Sequence, residues 1–195
     1  MKTSKQILIV IMTIVFCSIS EISSAQAYLT DRSQEKIDFQ WPKGKRMGLS
    51  LTFDDARLTQ IDKGIPLLDK YNVKATFYVS PDNMRQRLEG WKKAVSNGHD
   101  IGNHSLIHPC TINYGWPQEA ALENYSLQRM RTELDSASIV IKNLLGIKPL
   151  SFGYPCGETF VGKGVNLKSY VPLVASIFET GRLWLSEGPN DPVFC

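Results

Sequence analysis

The chain has 195 residues, of which 43% are hydrophobic and 21% charged. These fractions match globular averages and exclude disordered, collagen-like and low-complexity classes. A formal charge of +3, dispersed along the chain, is too weak for a nucleic-acid surface, and no nucleic-acid partner is expected.

Residues 1–27 read as a secretory signal. Lys2 and Lys5 supply the positive start, Ile7–Ile19 the apolar run, and Ser24-Ala25-Gln26-Ala27 the small residues before a cut. A spanning helix needs about 20 apolar residues, and Ser20-Glu21 ends this run early. The expected product is exported, periplasmic or extracellular, with no stable membrane span after cleavage. Residues 28–46 read as a polar linker with an approach strand near Phe39–Trp41, and residues 47–195 as one domain. Beyond Cys17, the cysteines are Cys110, Cys156 and Cys195, an odd number without CxxC spacing, which argues against a zinc ribbon. Export permits one disulfide, with the pairing left open. Small, partly buried thiols are the other reading.

From Gly48 strands and helices alternate. Leu49–Phe53 is a short apolar run of β-formers that ends in Asp54-Asp55. Ile61–Tyr71 has helical spacing, Ala75–Val79 reads as a strand stopped by Ser80-Pro81, and Met84–Asn97 as a helix closed by Gly98. His99–Asn103 is another short strand. The clearest helix spans Glu119–Leu145, where Leu127, Met130, Leu134, Ala137, Ile141 and Leu144 form one apolar stripe and Gly146 follows. Pro149–Phe152 reads as a strand, Tyr170–Phe178 as a helix and Leu183–Leu185 as a last strand. This alternation predicts an α/β protein with parallel strands, whose sites collect at the strand C-termini.

Three polar clusters fall at such ends: Asp54-Asp55, Asn103-His104 and Tyr154-Pro155-Cys156-Gly157. His104 and His108 are four apart, so one helical turn or a tight loop aims both rings at one point. Adjacent carboxylates repel each other, and a cation or a proton relieves the repulsion. Successive side chains leave a strand on opposite faces, so Asp54 and Asp55 share a site only if the chain turns there. One Asp and two His make three ligands for a divalent metal with a position open for water, the composition of a catalytic site.

Thr52-Phe53-Asp54-Asp55 and His104-Ser105-Leu106-Ile107-His108-Pro109 resemble the first two motifs of the NodB-homology polysaccharide deacetylases, carbohydrate esterase family 4. Lys74–Val79, Gly98–Asn103 and Phe152–Gly157 resemble the family's second strand, the approach to its second motif and its third motif. The resemblance implies a distorted (β/α) barrel of fewer than eight strands, incomplete at its C-terminus here. It implies a metal-dependent hydrolase removing N-acetyl, or also O-acetyl, groups from a polysaccharide. Asp55, His104 and His108 would hold the metal, zinc or in some members cobalt or nickel, and Asp54 would be the general base. The backbone N–H of Cys156 would meet the oxyanion, with Tyr154 and Pro155 beside the substrate. His99 would be structural or stand behind the ligands.

Two features depart from the family. Gly153 stands where the third motif often begins with an arginine that orients the base. No histidine follows His108 to protonate the leaving group, and Asp191 and Trp184 do not match the fourth motif. A non-catalytic carbohydrate-binding relative, or an inactive truncated piece of an enzyme, is therefore the alternative.

Overall fold

The structure is a computed structural model that describes residues 41–115 and 118–184. The signal reading of residues 1–27, and Cys195, lie outside them. The chain divides into two compact units, Met1–Met47 with Pro189–Cys195, and Gly48–Gly188. In the first, the described part is a single 3₁₀ turn, Pro42–Gly44, entered through Trp41 in extended conformation. No strand forms at Trp41; Pro42 ends any ladder by fixing φ and removing a donor.

The second unit is built on a five-stranded parallel sheet. Its strands are β1 (Thr52–Asp54), β2 (Thr76–Val79), β3 (Asp100–Asn103), β4 (Ser151–Gly153) and β7 (Thr180–Arg182), in the order β1-β2-β3-β4-β7. All four pairings are parallel, giving a curled half-barrel with helices on its outer face. A short antiparallel ribbon, β5 (Phe160–Val161) and β6 (Lys168–Ser169), stands apart from the sheet. Strand β4 is buried along its whole length, as expected for a parallel strand covered on both faces.

Among the described residues five α-helices accompany the sheet: α1 (Ile65–Lys70), α2 (Pro81–Arg85), α3 (Leu88–Ser96), α4 (Leu127–Leu145) and α5 (Val171–Ala175). A π-helical turn, Gln60–Gly64, leads into α1. The helix expected over Met84–Asn97 is two helices, because Arg87 leaves helical geometry at φ −138°, ψ 40°. Its guanidinium is drawn to Asp62 (3.1 and 3.3 Å), a contact that local periodicity does not register. The helix expected from Glu119 begins at Leu127. Residues Gln118–Ala120 and Leu122–Asn124 are 3₁₀ turns, and Ser126 caps α4 by accepting from the Arg129 N–H at 3.1 Å. Gly146 closes α4 in the left-handed conformation at φ 74°. Among the described residues the last strand is Thr180–Arg182, fixed by register with β4: Ser151 opposite Thr180, Phe152 opposite Gly181, Gly153 opposite Arg182. Leu183 and Trp184 of the expected strand lie outside it, and Leu185 lies outside the described residues.

Side chains pack in two clusters. Phe77, Val79, Trp91, Ile101 and Ile141 belong to one; Met130, Leu134, Phe152, Tyr154, Tyr170 and Phe178 to the other. Helix α4 feeds both. Inside the half-barrel the Tyr78 ring fills the space above two glycines. A Cβ at Gly102 would lie 2.4 Å from Tyr78 Cδ1, and one at Gly153 2.8 Å from Tyr78 Cγ.

Candidate metal centre

Each site residue leaves the C-terminal end of a parallel strand, where backbone geometry decides its direction. Asp54 closes β1, and the chain turns at once: Asp55 has φ 76° and Ala56 φ 52°. This turn satisfies the condition under which both carboxylates serve one site. Seven non-glycine residues among those described have positive φ, and five of them (Asp55, Ala56, Ser105, His108 and Cys156) lie in the three motif turns. Such conformations cost of order 1–3 kcal/mol each and persist only where surrounding contacts impose them.

Those contacts are present. Gln60 Nε2 donates to the Asp54 carbonyl at 2.6 Å, and Asn83 Nδ2 to the Asp55 carbonyl at 2.8 Å. Asn103 accepts the Ser105 N–H at 2.7 Å and anchors itself on α4 through the Leu134 carbonyl at 2.9 Å and Ser138 Oγ at 2.8 Å. Ser105 Oγ accepts the His108 N–H at 3.0 Å. Glu133, buried on α4, accepts the Ile107 N–H at 3.3 Å and the Tyr125 hydroxyl at 3.1 Å. The loop carrying both histidines is thus tied to one helix at several points.

The ligand atoms converge. Asp55 Oδ1 lies 3.5 Å from His104 Nε2 and 3.3 Å from His108 Nε2, and the donor atoms of all three residues lie within 4.8 Å of one another. His104 is buried, and its Nδ1 donates to the Gly153 carbonyl at 2.8 Å, which leaves the Nε2 lone pair directed at the common point. Bonding from His104, then His108, outweighs burial and, with Arg57, holds the Asp55 carboxyl well below the usual carboxylate range. Arg57 bonds the other oxygen, Oδ2, at 3.0 and 3.1 Å. One carboxylate and two imidazoles around one point fit a divalent ion of the zinc, cobalt or nickel type.

Asp54 is held by Arg182, whose Nη2 donates to Asp54 Oδ1. Arg182 also lies over the Tyr78 ring, 5.0 Å from its centroid. Sequence reasoning missed Arg182. The available signal was Gly153 itself, because the guanidinium arrives from the residue opposite it in register. Glu133 was also missed, although it is a carboxylate on the buried face of α4, where a charge requires partners.

In the third motif the Tyr154 ring is buried in the second cluster, 4.9 Å from Phe152 and 5.3 Å from Tyr170, and Pro155 is buried. Tyr154 therefore reaches the turn through its backbone. Gly157 and Glu158 spend their N–H groups inside the turn, on the Tyr154 carbonyl at 3.0 Å and the Pro155 carbonyl at 3.1 Å. Cys156 forms a disulfide with Cys110, which answers the pairing left open by the sequence. His99 precedes β3, away from the strand C-termini. It accepts the Ala75 N–H at 3.3 Å and meets Asp69 at 3.1 Å, a structural role.

A family model described as Polysaccharide deacetylase matches residues 41–167. The peptidoglycan-N-acetylglucosamine deacetylase of Bacillus cereus is 32% identical over 111 residues, covering 56% of this chain and 36% of that protein. The peptidoglycan-N-acetylglucosamine deacetylase PgdA of Listeria monocytogenes is 37% identical over 70 residues, 35% of this chain and 15% of that protein. The chain thus spans 15% to 36% of the length of these two relatives. Among solved structures, the Streptococcus pyogenes deacetylase PplD shares the fold, with a TM-score of 0.53 at 21% identity, covering 69% of this chain and 54% of that one. A pseudoenzyme of the same fold, BA3943 of Bacillus anthracis, matches with a TM-score of 0.51 at 22% identity, over 68% of this chain and 41% of that one. With two motif turns and a half-barrel that place Asp55, His104 and His108 around one point, the chain belongs to the polysaccharide deacetylase family.

Proposed function

We propose that this chain is a metal-dependent hydrolase that removes N-acetyl, or else O-acetyl, groups from a polysaccharide. The observation that carries this reading is the convergence of Asp55, His104 and His108 beside an Asp54 carboxylate that stays outside the ligand set. Asp55 Oδ1 and the Nε2 atoms of His104 and His108 would hold the ion. A divalent cation bound there supplies Lewis-acid polarisation of water and of the acetyl carbonyl.

The chain's own residues do the rest. Asp54 accepts the proton of the attacking water, worth about 10²–10⁴-fold in rate for a positioned base. Arg182 holds Asp54 Oδ1, which leaves Oδ2 as the oxygen that receives the proton. The Cys156 N–H, in a turn locked by its disulfide to Cys110, donates to the oxygen that gains negative charge. Relatives named as peptidoglycan deacetylases make an N-acetylated cell-wall glycan the first substrate to test.

The reading is tested by metal analysis and acetate release from N-acetylglucosamine oligomers. Asp54→Asn should keep about one ion per chain and lose about 10²–10⁴-fold in kcat, whereas His104→Ala should lose the ion. Unchanged metal content in His104→Ala would sink it. The second reading is a carbohydrate-binding relative without catalysis. Glycan binding without acetate release from the metal-loaded chain would favour that one.

A further inference from the structure

His108 turns its two ring nitrogens toward two different sets of groups. Nε2 faces Asp55 Oδ1 at 3.3 Å, within the three-ligand set. Nδ1 lies 3.6 Å from Cys110 Sγ, on the opposite edge of the ring. Donor atoms of His108, Cys110 and Cys156 lie within 4.8 Å of one another, a second cluster that shares only His108 with the first. The two sulfurs are joined as a disulfide, and a disulfide sulfur is a weak ligand. Two thiolates with an imidazole are a soft set suited to zinc or cobalt(II) ions.

We propose that reducing Cys110–Cys156 opens a second cation site, made of two thiolates and His108 Nδ1, for a thiophilic divalent ion. Cys110 is fully buried and Cys156 partly exposed, so an external dithiol attacks Cys156 Sγ and Cys110 leaves as the thiolate. The second thiol of the reagent then displaces Cys156, giving two cysteine thiols and a cyclic disulfide. Two electrons pass from the dithiol to the cystine. The ion forms two metal–sulfur bonds and two protons are released. Zinc–sulfur bonds of ~2.3 Å in a tetrahedron set the sulfurs about 3.8 Å apart. The Cα–Cα separation of 5.9 Å accommodates that span by side-chain rotation alone.

The two sites compete. A neutral imidazole has one lone pair, so a His108 that binds a cation through Nδ1 carries its proton on Nε2 and leaves the Asp55–His104 set. The redox state of one cysteine pair therefore decides which set His108 serves, an arrangement that restrains the hydrolytic centre when the pair is reduced.

Cobalt(II) titration of the full chain, oxidised and after reduction by a phosphine that is then removed, tests the proposal. A sulfur-to-cobalt charge-transfer band in the near ultraviolet is expected in the reduced chain and not in the oxidised one. It should vanish in both Cys110→Ser and Cys156→Ser. His108→Ala should raise the cobalt midpoint of that band by about tenfold or more, the least that losing a ligand costs when an outer contact costs that much. Asp55→Ala should leave the band in place, which separates this site from the hydrolytic one and keeps the result independent of acetate release. No sulfur band in the reduced chain, a band that survives Cys156→Ser, or loss of the folded circular-dichroism spectrum on reduction would each overturn the proposal.

Discussion

Asp54 and Arg182 are 128 positions apart, and Arg182 is the register partner of Gly153. Tyr78 occupies the volume where a side chain at 153 would begin, so an arginine there would meet the ring. The guanidinium arrives instead from the neighbouring strand, at the register partner of Gly153, and lies over the same tyrosine. Arg182→Ala should lower kcat about 10–100-fold, the usual cost of a lost supporting contact, while metal content stays the same. Arg182→Lys should recover part of the loss, because an ammonium restores the charge but not the planar group that lies over Tyr78. Equal activity in Arg182→Ala would show that Asp54 needs no anchor. Gly153→Arg should not substitute for Arg182; forcing a side chain against Tyr78 should cost about 1–3 kcal/mol, read from the denaturant midpoint.

At the scale of elements, α4 connects chemistry to stability. One face buries Met130, Leu134, Ala137 and Ile141, while Glu133 and the Leu134 carbonyl hold the histidine loop and Asn103. Leu134→Ala should cost about 2–5 kcal/mol, and Ser126→Ala, which removes the cap, about 0.5–2 kcal/mol. Both are measurable by chemical denaturation, with metal affinity falling in the first if the loop follows the helix. The apolar stripe of α4 and the motif dipeptides were legible in the sequence because each is a local pattern. Partners distant in sequence were not. Arg87 breaks the expected Met84–Asn97 helix by reaching Asp62, β7 takes its place from β4, and Cys110 meets Cys156 across a separation of 46. Periodicity reports which face of a segment is buried, not what it is buried against. The sequence therefore pointed to the cluster of Asp55, His104 and His108, without the Arg182 and Glu133 that contact Asp54 and the histidine loop.

For the Gly48–Gly188 unit as a whole, the second packing cluster makes an alkaline limit to stability. Tyr125, Tyr154 and Tyr170 are all buried there. Burial pushes the phenols of Tyr125 and Tyr154 up to about 12, with the Glu133 carboxylate adding to the effect at Tyr125, and burial raises Tyr170 as well. An unfolded tyrosine ionises near ~10. The folded state therefore binds these protons more tightly than the unfolded chain does. That contribution is complete below pH about 10 and is lost as pH rises through about 12, because the unfolded chain then releases protons that the fold retains. The buried phenols should ionise together with the loss of the far-ultraviolet circular-dichroism signal, not ahead of it. Tyr154→Phe removes one such group, and its shift comes from burial alone. The alkaline midpoint of this variant should therefore move upward relative to the unaltered chain. A midpoint that stays put or falls would mean that the Tyr154 phenol is open to water, and that the second cluster does not unfold as one piece with the sheet that carries the site.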